Sequence, residues 1–479
     1  MSNADLLFMP ATTVAALIRR RKLSPVEHID AVLGAVERLQ PQLNCFVTVT
    51  ADQARAAAKE AESAVMSGAK LGPLHGVAVT IKDLLPTSGV RTTLGSVAFA
   101  DNVPDRDDVL VTRLRGAGAI MVGKTTTPEF GIKGTTSGPI FGVTRNPWDL
   151  DRTPGGSSGG AAAAVAAGLG PLGLGSDGAG STRIPAACCG LVGLKGTTGA
   201  VPYQEARDGF GNVIAAGPLT RTIADAALMQ SVMAGPDPLD PWTETAPPLG
   251  CISPHLFAQD LSGVRIGWLS RTAATAVAAD VAANTRASLD VLADLGADVE
   301  EVTAEVDWMS DDQRVLYLCS IANNLGPVVE RFGDRTDPVL RAYVAAGRKY
   351  DIGAYIRAVA ARTRLFRAVQ GLFETYDFLV SPTLSRTAVA AEFDGARGTI
   401  EIDGTVVGPA QPHWTGFVYP FNLTGHPALS VPSGFGRDGL PTGVQIVGRR
   451  HADSDVLRIG ALLEQAHPWA AARPAVAVA

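Results

Sequence analysis

Two glycine- and serine-rich blocks lie close together in the first half of the chain. Residues 155–160 have the sequence GGSSGG, and residues 175–187 have the sequence GSDGAGSTRIPAA. An alanine-rich run at residues 161–167 separates them and predicts a short helix. Glycine lets the backbone approach a ligand closely and turn its N–H groups toward it. The two blocks therefore predict turns or close backbone approaches on either side of a helix.

A third segment places a lysine at the end of a predicted strand. Residues 77–81 (VAVTI) are rich in β-branched side chains and short enough for a strand, and Lys82 follows directly. Further strands are predicted at residues 119–122, 264–269, 378–381, 428–431 and 444–447. Helices are predicted at residues 51–66, 108–115 and 280–295, and from Ser24, a capping residue, to Pro41. This alternation predicts an α/β protein with helices on both faces of the sheet.

The domain organisation follows from length and composition. At about 150 residues per domain, 479 residues would suggest roughly three domains. Hydrophobic residues make up 46% of the chain and charged residues 18%, which excludes intrinsic disorder. No low-complexity linker or fixed-period repeat divides the sequence. We therefore expect a single domain over residues 1–479.

Charge and hydropathy exclude several classes of partner. The chain has 41 basic and 47 acidic side chains, and this net charge of −6 argues against nucleic acid or an anionic membrane as a partner. The most apolar stretch, residues 159–175, is interrupted by Pro171 and is too weak to span a membrane. Residues 1–10 lack the features of a signal peptide. The cysteines form no C-x-x-C pair, and we expect reduced thiols in a cytoplasmic protein; they are Cys45, Cys188, Cys189, Cys251 and Cys319.

Two short motifs match nucleotide-binding patterns without the context that those patterns require. Residues 118–125 satisfy the phosphate-loop pattern, but their centre is a predicted core strand, so Lys124 is interpreted as structural. Residues 168–173 match G-x-G-x-x-G, but no strand precedes them and Pro171 interrupts them. We expect a loop after the alanine-rich helix there.

The G-x-S-x-G pattern within residues 155–160 is typical of the nucleophile elbow of α/β hydrolases. That elbow should follow a strand, whereas residues 149–154 are polar and predict a loop. Histidines late in the chain, such as His426, could complete a Ser–His–Asp triad. This interpretation therefore stays open as an alternative.

A longer set of motifs resembles the amidase signature family, the Ser–Ser–Lys hydrolases. The matching segments are residues 76–83, 146–148, 155–160, 175–187, 193–197 and 422–427. The resemblance covers nearly the whole chain, with a signature core over residues 70–200. It implies a large mixed central β-sheet with helices on both faces.

The resemblance implies a catalytic role for three residues. Ser181 would be the nucleophile, Ser157 the bridging serine and Lys82 the base. A lysine can act as a base near neutral pH only when burial lowers its pKa toward about 7–8, and the apolar strand before Lys82 could supply that burial. A hydroxyl both donates and accepts, so Ser157 could relay a proton. The adjacent Ser158 is interpreted as a supporting hydrogen bonder.

The resemblance also implies substrate-binding positions. Gly178, Ala179 and Gly180 would, together with Ser181, direct backbone N–H groups at a developing oxyanion. The commoner family pattern is Asp-Thr-Gly-Gly-Ser, so Ala179 is a departure whose methyl group must point away from the substrate. Gly131, in the loop at residues 131–137, should line the acyl side. Arg183, just past the nucleophile, is expected to anchor the loop.

The expected activity is hydrolysis of the C–N bond of a small-molecule amide through an acyl-enzyme, with no metal and no cofactor. Anilides, carbamates (urethanes) and esters stay open as substrates. The A-type subunit of an amidotransferase that works in tRNA-dependent amidation is a further alternative. The oligomeric state is open, with a homodimer as the candidate assembly. Residues 307–384, which would distinguish the substrates, contain no recognisable motif; the aromatic residues Trp308, Tyr317, Phe332 and Trp414 are equally consistent with a substrate pocket and with core.

Overall fold

A computed structural model describes residues 3–243, 260–395 and 397–478. The strands are β1 (Phe46–Val49), β2 (Ala78–Lys82), β3 (Ile120–Thr125), β4 (Ser137–Gly138), β5 (Gly142–Val143), β6 (Leu172–Asp177), β7 (Val192–Lys195), β8 (Ala215–Thr220), β9 (Arg265–Trp268), β10 (Asp298–Glu301), β11 (Phe378–Pro382), β12 (Thr399–Ile402), β13 (Thr405–Pro409), β14 (Ala428–Phe435) and β15 (Pro441–Gly448).

The helices are α1 (Asn3–Leu7), α2 (Ala11–Arg19), α3 (Pro25–Leu43), α4 (Ala51–Ser67), α5 (Val109–Gly116), α6 (Gly159–Ala166), α7 (Arg183–Cys189), α8 (Ile223–Met233), α9 (Ala279–Asp294), α10 (Ser310–Phe332), α11 (Pro338–Gly347), α12 (Ile352–Thr375), α13 (Ala410–His413), α14 (Pro420–Leu423), α15 (Asp453–Ala466) and α16 (Ala475–Val478). Within the described ranges, no helix is long and apolar enough to cross a bilayer.

The central sheet has eleven strands among the described residues, in the order β1-β3-β2-β6-β8-β7-β14-β15-β11-β9-β10. Strands β3, β2 and β6 are parallel, and so are β11, β9 and β10. The strands between these two groups run antiparallel to their neighbours, as does β1 at the edge. This mixed sheet confirms the predicted fold class.

Alternating side chains of β2 pack against different layers. Val79 and Ile81 lie in an apolar cluster with residues of α2, α5 and α8. Ala78 lies in a second cluster, with residues of α3, α4 and α6. Because successive side chains of a strand point to opposite faces, Lys82 is on the same face as Ala78, toward α6. The sheet therefore has helices on both faces, and Lys82 faces the layer that contains the first glycine–serine block.

The predicted element boundaries are mostly confirmed. Ser24 caps α3, because its hydroxyl accepts the N–H groups of Val26 and Glu27 at 3.0 and 3.4 Å. The prediction that the helix ends at Pro41 is wrong, since α3 continues to Leu43. Pro41 has no N–H, so it cannot make the usual hydrogen bond to the carbonyl four residues earlier, and the helix extends only two residues beyond it.

Strand β6 corrects the prediction of a loop at residues 168–173. The loop ends at Pro171, and the glycine-rich sequence LGLGSD then forms a fully buried strand in the sheet. A Cβ atom on Gly173 would lie 3.1 Å from the Val165 side chain of α6, and one on Gly175 would lie 2.9 Å from the Ser158 hydroxyl. These glycines therefore keep the strand surface flat, so that α6 and the glycine–serine block can approach it.

Lys124 lies inside β3 and is structural, as predicted. Its amine donates to the Leu85 carbonyl and to the hydroxyls of Thr87 and Thr92, at 2.9 and 3.1 Å for the two hydroxyls. These bonds hold the turn that follows β2. Since residues 120–125 are a strand, the segment has no phosphate-binding loop.

Candidate active site

Two parallel strands and one helix bring the sequence-predicted residues together. Lys82 ends β2, and Asp177 ends the neighbouring parallel strand β6, so both lie at the same edge of the sheet. Ser157 and Ser158 immediately precede α6 and enter this edge from the adjoining layer. The peptide bond between Gly156 and Ser157 is cis.

The amine of Lys82 is surrounded by oxygen atoms in a fully buried position. Its Nζ atom lies 2.7 Å from Ser157 Oγ, 2.9 Å from Ser158 Oγ, 3.0 Å from Ser176 Oγ and 3.2 Å from the Ser176 carbonyl oxygen. Burial lowers the pKa of Lys82 to about 7, although the nearby Asp177 carboxylate opposes that shift. The amine is therefore substantially neutral at physiological pH, as a base must be.

The two serines of the block have different hydrogen-bond environments. Ser158 Oγ lies 3.2 Å from the Ser176 carbonyl oxygen and also accepts the Ser176 N–H at 3.3 Å. Ser157 Oγ has Lys82 as its protein partner within the described residues. It also lies close to Gly131, where a Cβ atom would come within 3.2 Å. Ser158 is thus committed to the backbone, while the Ser157 hydroxyl can exchange partners.

Ser181 lies in the loop between β6 and α7, partly exposed at the bottom of a cavity. Its carbonyl oxygen accepts the N–H of Ser158 at 3.1 Å, which ties this loop to the first glycine–serine block. Within the described residues no hydrogen bond joins the hydroxyls of Ser181 and Ser157.

A buried ion pair organises the loop that carries Ser181. Arg183 and Asp177 are fully buried and make two hydrogen bonds, of 2.9 and 3.0 Å. The Arg183 guanidinium also donates to Asn422 and Gln445, each at 2.6 Å. Burial alone would raise the pKa of Asp177, but the positive charge of Arg183 and its hydrogen bonds outweigh burial and hold that pKa well below its usual range. Arg183 therefore anchors the loop, in the position that the sequence predicts.

The Asp177 carboxylate also changes the expected set of oxyanion donors. It accepts the N–H of Gly180 at 2.6 Å and that of Thr182 at 3.2 Å. The Gly180 N–H is therefore not available to a substrate, contrary to the expectation from the sequence. Gly180 instead serves the backbone: its φ is +108°, and a Cβ atom would clash with Val418 at 2.3 Å.

Three N–H groups of the same loop stay free of protein acceptors within the described residues: those of Gly178, Ala179 and Ser181. Ala179 lines the cavity and packs against the apolar cluster that contains Tyr419 and Phe421. These N–H groups can serve as donors to a developing negative charge beside Ser181.

The cavity at Ser181 has four aromatic side chains in its walls, among small, polar and aliphatic residues. Its walls come from residues 131–135, from Ala179, Ser181 and Ile184, from Tyr317 and Tyr343, from Phe393 and Gly395, and from Ala410, Gln411, Trp414 and Thr415. The Tyr317 and Tyr343 rings meet edge to face at 6.0 Å. Of these residues only Lys133 carries a charge, and its amine lies 2.6 Å from the Asp337 carboxylate.

The aromatic residues that the sequence leaves undecided divide into two groups. Tyr317 and Trp414 line the cavity. Trp308 packs against Phe421 at 6.4 Å between ring centres, and Phe332 lies among arginines at the end of α10.

Two polar residues of the site were not predicted from the sequence. The Ser176 hydroxyl contacts Lys82, and the Asn422 side chain contacts Asp177 and Arg183. Both residues lie within motifs that match the amidase signature family, so the motif match could have identified them as candidates.

The histidines do not support a Ser–His–Asp triad. Among the described histidines, no ring nitrogen contacts the hydroxyl of Ser157, Ser158 or Ser181. His426 is buried, contacts Thr424 at 2.8 Å and stacks on Phe373. Residues 149–154 form turns and a bridge, so no strand leads into the block as a nucleophile elbow would require.

The described cysteines are free thiols. Cys45, Cys188 and Cys189 are buried, Cys319 is partly exposed on α10, and Cys251 lies outside the described residues. Burial raises the pKa of the first three thiols, so they stay protonated. They are therefore unsuited to nucleophilic catalysis.

Comparisons with known proteins agree with this geometry. The amidase family model matches residues 27–457. An acylamidase from Rhodococcus erythropolis is 38% identical over 483 residues, which cover 99% of each chain. The A-type subunit of the glutamyl-tRNA(Gln) amidotransferase of Moorella thermoacetica is 34% identical and aligns over 99% of this chain and 100% of that protein. The crystal structure of a bacterial aryl acylamidase of the amidase signature family has a TM-score of 0.88 and 31% identity, covering 96% of this chain and 97% of that chain. The chain therefore belongs to the amidase signature family and is an enzyme that hydrolyses amides.

Proposed function

We propose that this enzyme hydrolyses uncharged amides with an aromatic or apolar group next to the scissile bond, with Ser181 as nucleophile, Ser157 as proton relay and Lys82 as base. The observation that carries the mechanism is the buried contact of 2.7 Å between Lys82 Nζ and Ser157 Oγ. It links a lysine whose pKa is lowered to about 7 with a hydroxyl that has no other protein partner in the described chain.

In the acylation step, Ser181 Oγ attacks the carbonyl carbon of the amide. The proton of Ser181 moves to Ser157 Oγ while the proton of Ser157 moves to the neutral amine of Lys82. The tetrahedral intermediate then expels the amine, and the proton returns through Ser157 to the leaving nitrogen. Water repeats the sequence on the acyl-enzyme and releases the acid. Lys82 ends each cycle neutral, so no external acid or base is consumed.

Negative charge on the substrate oxygen is stabilised by backbone donors. The N–H groups of Gly178, Ala179 and Ser181 are the free donors of the loop, and the Asp177–Arg183 pair holds that loop rigid. In other hydrolases, loss of one such donor costs on the order of 10²–10³ in rate.

The cavity supports a preference for aromatic, uncharged groups. Tyr317, Tyr343, Phe393 and Trp414 supply flat apolar surfaces within its walls. The charge of Lys133 is neutralised by Asp337. The acylamidase and aryl acylamidase to which the chain is similar fit this class of substrate.

The similarity to A-type amidotransferase subunits makes glutamine hydrolysis a second candidate. Free glutamine carries an ammonium and a carboxylate, which a site must pair when it buries them. The described cavity walls offer no unpaired charge for either group. We therefore favour the amidase over the glutaminase, and assays of both anilide and glutamine hydrolysis on the isolated chain distinguish the two.

A fluorophosphonate probe tests the mechanism, because it reacts covalently with an activated serine. We expect one adduct, on the peptide that contains Ser181, and no adduct in the Ser181→Ala variant. Ser67→Ala is the matched control, since Ser67 is an exposed hydroxyl at the end of α4. An adduct on Ser157 or Ser158 would contradict the proposal.

A further inference from the structure

The loop at residues 129–137 connects the proposed catalytic serines to helices α10 and α11. On one side Gly131 approaches Ser157, and Ile132 and Lys133 form part of the cavity wall. On the other side the loop is bonded to α10 and to the start of α11. The hydroxyl of Tyr317 on α10 donates to the Ile132 carbonyl oxygen at 2.6 Å.

The second connection is an ion pair between Lys133 and Asp337. The Lys133 amine lies 2.6 Å from Asp337 Oδ2 and 3.0 Å from Ser137 Oγ. The two charged side chains are only 7% and 4% exposed. Lys133 lines the cavity, whereas Asp337 lies behind it as the capping residue of α11.

Asp337 is held rigidly in this position. Its Oδ1 atom accepts the N–H of Val339 at 2.8 Å, and its own N–H donates to Glu129 Oε2 at 2.6 Å. The other oxygen of Glu129 accepts the Ser96 hydroxyl at 2.6 Å. The counter-ion of Lys133 is thus fixed by backbone and side-chain bonds on both sides, and a substrate carboxylate would have to displace it.

We propose that the Lys133–Asp337 ion pair is a specificity-determining element that makes the cavity select uncharged substrates. Asp337 already pairs with the Lys133 ammonium, which a substrate carboxylate would otherwise bind. A negatively charged substrate would therefore lose its hydration in the cavity without gaining a cationic partner. This inference rests on the proposed function, because it assigns the cavity to the substrate.

The variant Asp337→Asn tests the proposal and keeps the helix cap, since asparagine caps helices as well as aspartate does. It leaves Lys133 as an uncompensated cation beside the cavity. The substrates are two pairs of anilides whose members differ only in a carboxylate or a carboxamide, placed on the acyl part in one pair and on the aniline ring in the other. The measured quantity is the ratio of kcat/KM for the carboxylate to kcat/KM for the carboxamide.

We expect the wild-type enzyme to prefer the carboxamide in both pairs. In Asp337→Asn the ratio should rise at least about tenfold in one pair, because the uncompensated Lys133 cation can then pair with the substrate carboxylate. The double variant Asp337→Asn with Lys133→Met should return the ratio to the wild-type value. An unchanged ratio in both pairs, with the fold intact, would overturn the proposal.

Binding gives a readout that needs no turnover. Benzoate should raise the Tm of Asp337→Asn more than that of the wild type, whereas benzyl alcohol, an uncharged ligand with no amide to hydrolyse, should not discriminate between them. Glu330→Gln is the control, since it removes one charge of the exposed Arg348–Glu330 pair away from the cavity walls. If the fluorophosphonate fails to label Ser181 but benzoate still raises the Tm of Asp337→Asn more than that of the wild type, the proposed mechanism is wrong and the inference about the ion pair stands. If benzoate raises the Tm of both proteins equally, the inference about the ion pair is wrong and the proposed mechanism is unaffected.

Discussion

The Nζ atom of Lys82 lies 2.7 Å from Ser157 Oγ, and neither side chain is more than 2% exposed. A neutral amine has two N–H donors and one lone pair, so one of the surrounding hydroxyls must donate to it. The hydroxyl of Ser158 is already engaged with the backbone of Ser176, and that of Ser176 lies farther from the amine, at 3.0 Å. Ser157 is therefore the hydroxyl best placed to give its proton to Lys82.

The first prediction concerns the pH dependence of catalysis. Burial lowers the pKa of Lys82 to about 7, and the base works only when it is deprotonated. We expect kcat/KM for a neutral anilide to rise with pH through an apparent pKa of about 7 and then to level off. The pH–rate profile of the purified enzyme measures this directly.

Lys195 could give the same pH dependence and must be tested separately, because burial lowers its pKa to about 7 as well. It donates to the Gly196 carbonyl oxygen and does not contact the serines. The rising limb should persist in Lys195→Met. A flat profile in the wild type, or a limb that disappears in Lys195→Met, would contradict the assignment of the base to Lys82.

The second prediction links the same lysine to stability. Its pKa is about 7 in the folded state and about 10.4 in an unfolded chain, so between these pH values the unfolded state binds more protons. The free energy of unfolding of the wild type should therefore rise with pH in this window relative to Lys82→Met. Urea titrations of both proteins across this pH window test it, and parallel curves would show that the lysine is not buried in a low-dielectric site.

The local sequence predicts strand β2, which ends at Lys82, but it does not predict the neighbouring strand β6. The β-branched residues before Lys82 predict β2 because they favour a strand by themselves. Strand β6 has glycines at positions 173 and 175, which carry no such preference, and it exists because α6 and the serine block pack against it. Tertiary contacts therefore override the local signal at the place where the backbone must approach the site.

The three residues that we propose as catalytic were identified from motifs, whereas most of the contacts that support them were not. Arg183 was expected to anchor the loop, but its partners Asn422 and Gln445 lie on the distant elements α14 and β15. The use of the Gly180 N–H by Asp177 is also invisible in the sequence, since it depends on how the loop folds back. The contacts of Gln445 and of the Gly180 N–H depend on how distant segments pack together and carry no local pattern, whereas Asn422 lies within a matching motif.

The third prediction concerns the ion pair under the nucleophile loop. Asp177→Asn removes the negative charge beside the buried Arg183, which then has no counter-ion, and it weakens the acceptor of the Gly180 N–H. Leaving one charge of a buried pair unmatched typically costs about 3–5 kcal/mol of stability. We expect a loss of this size in urea unfolding, together with slower labelling of Ser181 by a fluorophosphonate.

An exposed pair provides the comparison for that measurement. Asp30→Asn removes the charge that faces Arg55, and both side chains are about half exposed, so its effect on stability and labelling should be negligible. Equal effects of the two substitutions would show that the Asp177–Arg183 pair does not support the loop.

The fourth prediction separates two neighbouring glycines of β6. In Gly175→Ala the new methyl group would lie 2.9 Å from Ser158 Oγ and 3.0 Å from Thr182 Oγ1, so it must push the serine block away from Lys82. In Gly173→Ala the methyl group would instead meet the Val165 and Ala161 side chains at 3.1 and 3.3 Å, away from the Lys82 hydroxyl cluster.

Both substitutions overpack the core, which typically costs about 1–3 kcal/mol. We therefore expect both variants to lose stability, but only Gly175→Ala to lose kcat well beyond its loss of stability, when kcat and urea unfolding are measured on the same preparations. If Gly173→Ala lost as much kcat at equal stability, the distance between Ser158 and Lys82 would not be what limits catalysis.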